Sequence, residues 1–110
     1  MIDTNNTNAD INAFSGMEFC TFKLKEGADE SEMLEAAKNM EKEFLSKEDG
    51  FLGHRVLKGK DGTYVDIAFA DTQEQAELIC SKWVENEFSL EYLEFIDSES
   101  VDLSFWSRLK

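Results

Sequence analysis

Few side chains in this sequence are equipped for chemistry. His54 is the single imidazole among 110 residues, and imidazole alone has an ordinary pKa close to neutrality. On a sheet face beside Asp66 or Asp102 it could act as a general base, with the carboxylate orienting the ring. Its plainer role is that of a polar residue at a strand edge or at a seam between two copies. Asp66 follows Tyr64 by two positions, so the two share a strand face. A buried aspartate needs a donor, so Asp66 either lines a wet pocket or forms an ion pair with Arg55 or Arg108 across a dimer. His54 and Asp66 are therefore the candidate catalytic residues. Phe19, Tyr64, Trp83, Asp102 and Trp106 are candidates for a ligand pocket or dimer seam. The two tryptophans could stack a flat ligand, or they could fill core or interface.

Other chemistries are poorly supplied. Cys20 and Cys80 lie in apolar runs, EFCTF and AELICSKW, as expected of reduced, buried thiols. With His54 they are too few and too scattered for a four-ligand zinc site, so no metal and no cofactor is expected. The 24 acidic against 11 basic residues leave a formal charge of −13. That balance excludes nucleic acid and anionic membrane as partners, because both demand a basic surface. The sequence shows neither an apolar span of membrane-crossing length nor an export signal, which predicts a cytoplasmic protein. At 42% hydrophobic, with nine Phe, the chain is too apolar to be a disordered acidic tail.

Hydrophobic periodicity places these residues on elements. Residues 1–15, rich in Asn, Asp and Thr, are expected to form a flexible N-terminal extension, and residues 16–110 a single domain. Met17 to Lys25 alternates as a first strand. Asp29 and Glu32 are spaced as a capping box before a helix carrying Met33, Ala37, Met40 and Phe44. Phe51–Gly59 and Thr63–Ala70 read as a hairpin around Lys60-Asp61-Gly62. A three-residue turn there sets His54 opposite Ala68 and Val56 opposite Asp66; a two-residue turn would invert that parity. A second helix is predicted over Thr72–Glu85, then a short helical turn capped by Ser89, and a last strand over Val101–Leu109.

The order strand, helix, strand, strand, helix, strand is that of the ferredoxin-like split β-α-β unit. It makes an α+β domain with an antiparallel four-stranded sheet and both helices on one face. The predicted helix-covered rows are Cys20/Phe22/Leu24, Val65/Ile67/Phe69 and Val101/Leu103/Phe105. The opposite face would then carry Phe19, Thr21, His54, Val56, Tyr64, Asp66, Ala68, Asp102, Ser104 and Trp106. So mixed a surface suits contact with a second copy, and a two-fold homodimer needs only one self-complementary patch.

The segments MEFCTFKLKEGADESEML, DGFLGHRVLKGKDGTYVDIAFADTQEQAE and ENEFSLEYLEFIDSESV resemble the dimeric α+β barrel superfamily. Within it they are most similar to the antibiotic-biosynthesis-monooxygenase-like domains. The resemblance implies two sheets packed face to face in a dimer and, in function, a cofactor-independent monooxygenase-type protein binding a small organic or aromatic molecule. Heme-degrading members use an Asn on strand one, a Trp closing strand three and a His on the second helix. The matching places here hold Cys20 or Thr21, Phe69, and a helix without His, so heme is not implied. A non-catalytic dimeric module for ligand binding or protein interaction is the alternative, and the residues leave open whether the chain is an enzyme.

Overall fold

The computed structural model describes residues 10–110. Four strands, β1 (Gly16–Phe22), β2 (Phe51–Lys58), β3 (Tyr64–Ala70) and β4 (Asp102–Ser107), form one antiparallel sheet in the order β2-β3-β1-β4. Three helices, α1 (Glu30–Glu43), α2 (Gln73–Ser81) and α3 (Glu87–Leu93), complete an α+β, ferredoxin-like fold.

Local chemistry sets the element ends. Asp29 Oδ1 accepts from the amides of Ser31 and Glu32 at the start of α1. Thr72 Oγ1 accepts from Gln75 N at the start of α2. In each case a side-chain oxygen satisfies amides that the first helical turn leaves unpaired. The hairpin turns through Asp61 (φ 57°) and Gly62 (φ 75°), with Gly59 N donating to Thr63 O at 2.7 Å. The three-residue turn is thus the one formed, and His54 stands opposite Ala68, Val56 opposite Asp66.

The second predicted helix is shorter than its periodicity suggests. It ends at Ser81, and Trp83–Glu85 forms a separate 3-10 turn. Asn86, not Ser89, caps α3. Ser89 is instead buried, and its hydroxyl donates to Trp83 O at 2.5 Å, tying the 3-10 turn to α3.

The parity of the hairpin relative to β1 is opposite to the expectation. Cys20 pairs with Asp66, Phe22 with Tyr64 and Glu18 with Ala68. The Tyr64/Asp66/Ala68 row, with His54 and Val56, therefore lies beneath the helices, while Val65, Ile67 and Phe69 face away. The β1 and β4 rows fall as expected, with Cys20 opposite Leu103. Space is the physical reason. A Cβ on Gly16 would stand 2.0 Å from the Thr72 carbonyl carbon, so α2 sits directly on the sheet. Ala68, Ala70 and Ala76, all buried there, leave no room for the Val65/Ile67/Phe69 row.

Under α1 the core is dense: Met33, Met40, Leu45 and Phe22 are fully buried, and Tyr64 stacks on Phe22 with ring centroids 5.5 Å apart. On the other face, Phe14 packs edge-on against Phe69 at 4.9 Å, and the Arg108 guanidinium lies 4.7 Å from the Phe14 ring. Of the predicted extension, residues 1–9 lie outside the described residues, while Ile11–Ala13 forms a 3-10 turn. No described helix is long and apolar enough to cross a membrane.

Candidate functional site

Asp66 is the centre of a buried polar cluster drawn from four elements. His54 on β2 places Nε2 2.8 Å from Asp66 Oδ2, and Tyr92 on α3 donates its hydroxyl to the same oxygen at 2.7 Å. Glu18, on β1, completes the group. Glu18 is 3% exposed and Asp66 2%. Glu18 Oε1 and Asp66 Oδ1 are buried with no other partner among the described residues, and the two carboxyl groups hydrogen-bond to each other when Glu18 carries the proton.

These two carboxyl groups form part of the wall of a cavity of about 240 Å³ between the sheet and the α2–α3 end of the helical layer. The rest of its lining is apolar or weakly polar: Cys20, Phe22, Cys80, Trp83, Val84, Tyr92, Leu93, Ile96, Val101 and Leu103. The break between α2 and α3 makes this space, because it carries Trp83 to within 5.9 Å of the Tyr92 ring, edge-on. Val84, Val101 and Leu103 are exposed apolar residues at its rim.

Burial and charge set the protonation states. Burial first, then the neighbouring Asp66 charge, pushes Glu18 well above the ordinary 4.5, which favours the neutral acid. Burial also works against an ionised Asp66, but the charge and hydrogen bond of His54, with help from Glu18 and Tyr92, outweigh it and hold Asp66 below 3.8. For His54 the balance is similar: burial opposes the imidazolium, yet the Asp66 charge and hydrogen bond raise it above 6.5. Burial and the nearby Glu18 and Asp66 carboxyls push the Cys20 and Cys80 thiols up to about 12. Burial, followed by the Asp66 charge, raises Tyr92 as well. The directions favour an imidazolium–carboxylate pair for His54 and Asp66 and the protonated form of Glu18 beside them. Both cysteines are free and form part of the cavity wall, so neither is fully buried as expected. Among the described residues, no group of three His, Cys, Asp or Glu could hold a metal ion.

Solved structures share this architecture at low sequence identity. SnoaB, a cofactor-independent oxygenase from Streptomyces nogalater, is 12% identical, over 88% of this chain and 95% of its own, with a TM-score of 0.68. The ActVA-Orf6 monooxygenase of Streptomyces coelicolor, solved with Nanaomycin D, is 16% identical, over 93% and 96%, at 0.66. A Nitrosomonas europaea protein assigned to the antibiotic biosynthesis monooxygenases is 15% identical, over 87% and 91%, at 0.64. The chain has the antibiotic-biosynthesis-monooxygenase fold. No family model and no curated protein matches its sequence.

In this monooxygenase-like fold the seven candidate residues fall into three places. His54 and Asp66 meet in the buried cluster, and Trp83 lines the cavity beside it. Tyr64 lies under α1, where its hydroxyl donates to Glu30 Oε1 at 2.6 Å; it does not line the cavity. Phe19, Asp102 and Trp106 lie on the open face, with Trp106 55% exposed and its indole N–H donating to Ser104 Oγ. Asp66 and Asp102, expected on one face, therefore stand on opposite faces. Asp66 finds its partner in His54 rather than in Arg55 or Arg108. Sequence reasoning missed Glu18, which reads as an ordinary exposed charge among 24 acidic residues. It could have been found from strand alternation, since Glu18 shares parity with Cys20 and Phe22.

Proposed function

We propose that this monooxygenase-like protein binds a small organic molecule with an aromatic or similarly apolar body in the cavity beneath α2 and α3. The observation that carries this reading is a largely apolar cavity of about 240 Å³ whose lining includes the coupled Glu18 and Asp66 carboxyl groups. Ligand sites combine apolar walls with few, well-placed polar groups in this way.

The chemistry proposed for the site is oxygenation without a bound cofactor. An electron-rich ring carrying a methylene group gives up a proton to the Asp66 carboxylate. The resulting anion reduces dioxygen, the carbon takes up both oxygen atoms as a hydroperoxide, and loss of water leaves a carbonyl. In sum, CH₂ and O₂ become C=O and H₂O. The protein contributes proximity, exclusion of water and a base positioned by His54 and Tyr92. A second reading, a non-catalytic binding module, is favoured by the state of the same groups. Asp66 is held below 3.8 and both thiols near 12, so the cavity contains no strong base and no thiolate. An oxygen electrode separates the two. Consumption of oxygen with electron-rich anthrones or phenols, lost in Asp66→Asn, supports the enzyme. Ligand-induced thermal stabilisation without oxygen uptake supports the binder.

The proposal extends to assembly. Met17, Phe19, Val65, Ile67 and Phe69 form a half-buried apolar patch on the sheet face that no helix covers. A second copy meeting it face to face would cover it. Two free cysteines suit a reducing cytoplasm.

A further inference from the structure

Residues 10–15 cross the sheet face that no helix covers, at one end of the strands. Ile11 lies over Gly53 of β2, where an added Cβ would stand 2.8 Å from Ile11 Cδ1. Phe14 packs against Phe69 of β3, and Ser15 N donates to Ala70 O at 3.2 Å. Arg108, just beyond β4, closes the far side. Its backbone N donates to Ser15 O at 2.8 Å. Its guanidinium donates to the carbonyls of Asn12 at 2.6 Å and Phe14 at 3.1 Å while lying over the Phe14 ring. One short segment thus touches β2 and β3, leads into β1, and is clasped from the end of β4.

The segment has an inner and an outer side. Ile11 and Phe14 are half-buried against the sheet, whereas Asp10, Asn12, Ala13 and Arg108 are exposed. Asp10 Oδ1 accepts from Asn12 N at 3.0 Å and holds the turn in shape. The outer side therefore presents polar groups and a guanidinium charge to solvent, and a charge is costly to bury unpaired. Sheets packed face to face lie about 10 Å apart with their side chains interlocked. Backbone laid across one sheet fills that space.

We propose that residues 10–15 are a self-blocking strap: they occupy the Phe69 end of the sheet face and compete with a second copy for it, with Arg108 as the clasp. The inference rests on the face-to-face contact proposed above and adds what regulates it. A segment built to be shared between two copies would turn apolar groups outward, and this one turns Ile11 and Phe14 in. The hold is light, two apolar side chains and one exposed guanidinium, so the strap opens locally without unfolding the sheet. Association needs an open strap on each of two copies, so the apparent dissociation constant scales inversely with the square of the open fraction. A tenfold gain in that fraction tightens the dimer about a hundredfold.

Sedimentation velocity on the full chain over a wide concentration range, alongside Phe14→Ser and Arg108→Ala, tests this. Both variants loosen the strap and leave Met17, Phe19, Val65 and Ile67 of the patch in place. Each should lower the dimer dissociation constant by about tenfold or more. Hydrogen exchange on the wild-type chain gives a readout independent of whether a variant folds. The amides of Ser15 and Arg108, paired while the strap is closed, should exchange faster as concentration rises and the dimer forms. Unchanged or weaker association in both variants, or slower exchange of those amides in the dimer, overturns the strap and leaves the dimer standing. If all three chains stay monomeric throughout, the second-copy reading falls, and the strap with it.

Discussion

The two faces of the one sheet are built on opposite principles. The helix-covered face carries Glu18, His54 and Asp66, all buried. The uncovered face carries Val65, Ile67 and Phe69, all half-buried. Ranked by hydropathy alone, the two faces of the hairpin would change places. Position follows from partners and from size instead. Asp66 is tolerated inside because two donors converge on Oδ2, and Ala68 and Ala70 are needed where α2 rests on the sheet. The apolar row outside is left to be covered by something else.

The sharpest way to break this contrast is to remove the centre of the buried cluster. Asp66→Ala leaves the His54 imidazole and the Tyr92 hydroxyl buried without their acceptor, and should cost about 3–5 kcal/mol in urea unfolding. Loss below about 1 kcal/mol would mean that the cluster is not buried as described. Gly16→Ala tests the close approach of α2. Its Cβ would overlap the Thr72–Gln73 backbone, and displacement of the helix should cost about 1–3 kcal/mol, read in the same assay. Tyr92→Phe removes one of the two donors to Asp66 Oδ2 while keeping the ring, and should cost about 1–2 kcal/mol.

The pH dependence follows from three groups. Glu18 and His54 titrate above their ordinary values, so the folded state holds their protons more tightly. Stability should fall as pH rises, from above 4.5 for Glu18 and from above 6.5 for His54. Asp66 acts in the other direction: its contribution is present above 3.8 and is lost as pH falls below that value. Thermal unfolding across pH should show greatest stability in mildly acidic solution, and Glu18→Gln should flatten the part of the alkaline decline that begins first.

On the open face the smallest effect on folding is expected together with the largest on assembly. Ile67→Lys should change monomer unfolding by less than about 1 kcal/mol. It should convert the proposed dimer to a 12.6 kDa particle in light scattering at micromolar concentration. A wild-type chain that already scatters as a monomer would defeat the dimer.

Much of the architecture was legible in order and period. The capping at Asp29, the alternation of β1 and β3 and the glycine of the hairpin turn are local signals, and local signals survive without knowledge of the fold. The three-residue turn also set the pairing of His54 with Ala68 and Val56 with Asp66. The cavity was less legible because it depends on the break after Ser81, where an apolar stripe continues in sequence through Trp83 while the helix does not. Glu18 and Tyr92 were passed over for a related reason: neither has a distinctive neighbour in sequence, and their partners come from β3, 48 and 26 residues away.

From its residues alone, then, this chain reads as an acidic α+β domain with a split β-α-β order, with His54 and Asp66 as separate candidates for chemistry. Periodicity fixes which residues share a face, because it is a property of one strand. Tertiary structure alone decided which face lies under the helices, that Asp66 is held by His54 and Tyr92, and that Glu18 stands beside it in the cavity wall. Those outcomes depend on how closely one element can approach another, and that distance is set by side-chain volume across the whole sheet rather than within any one segment of it.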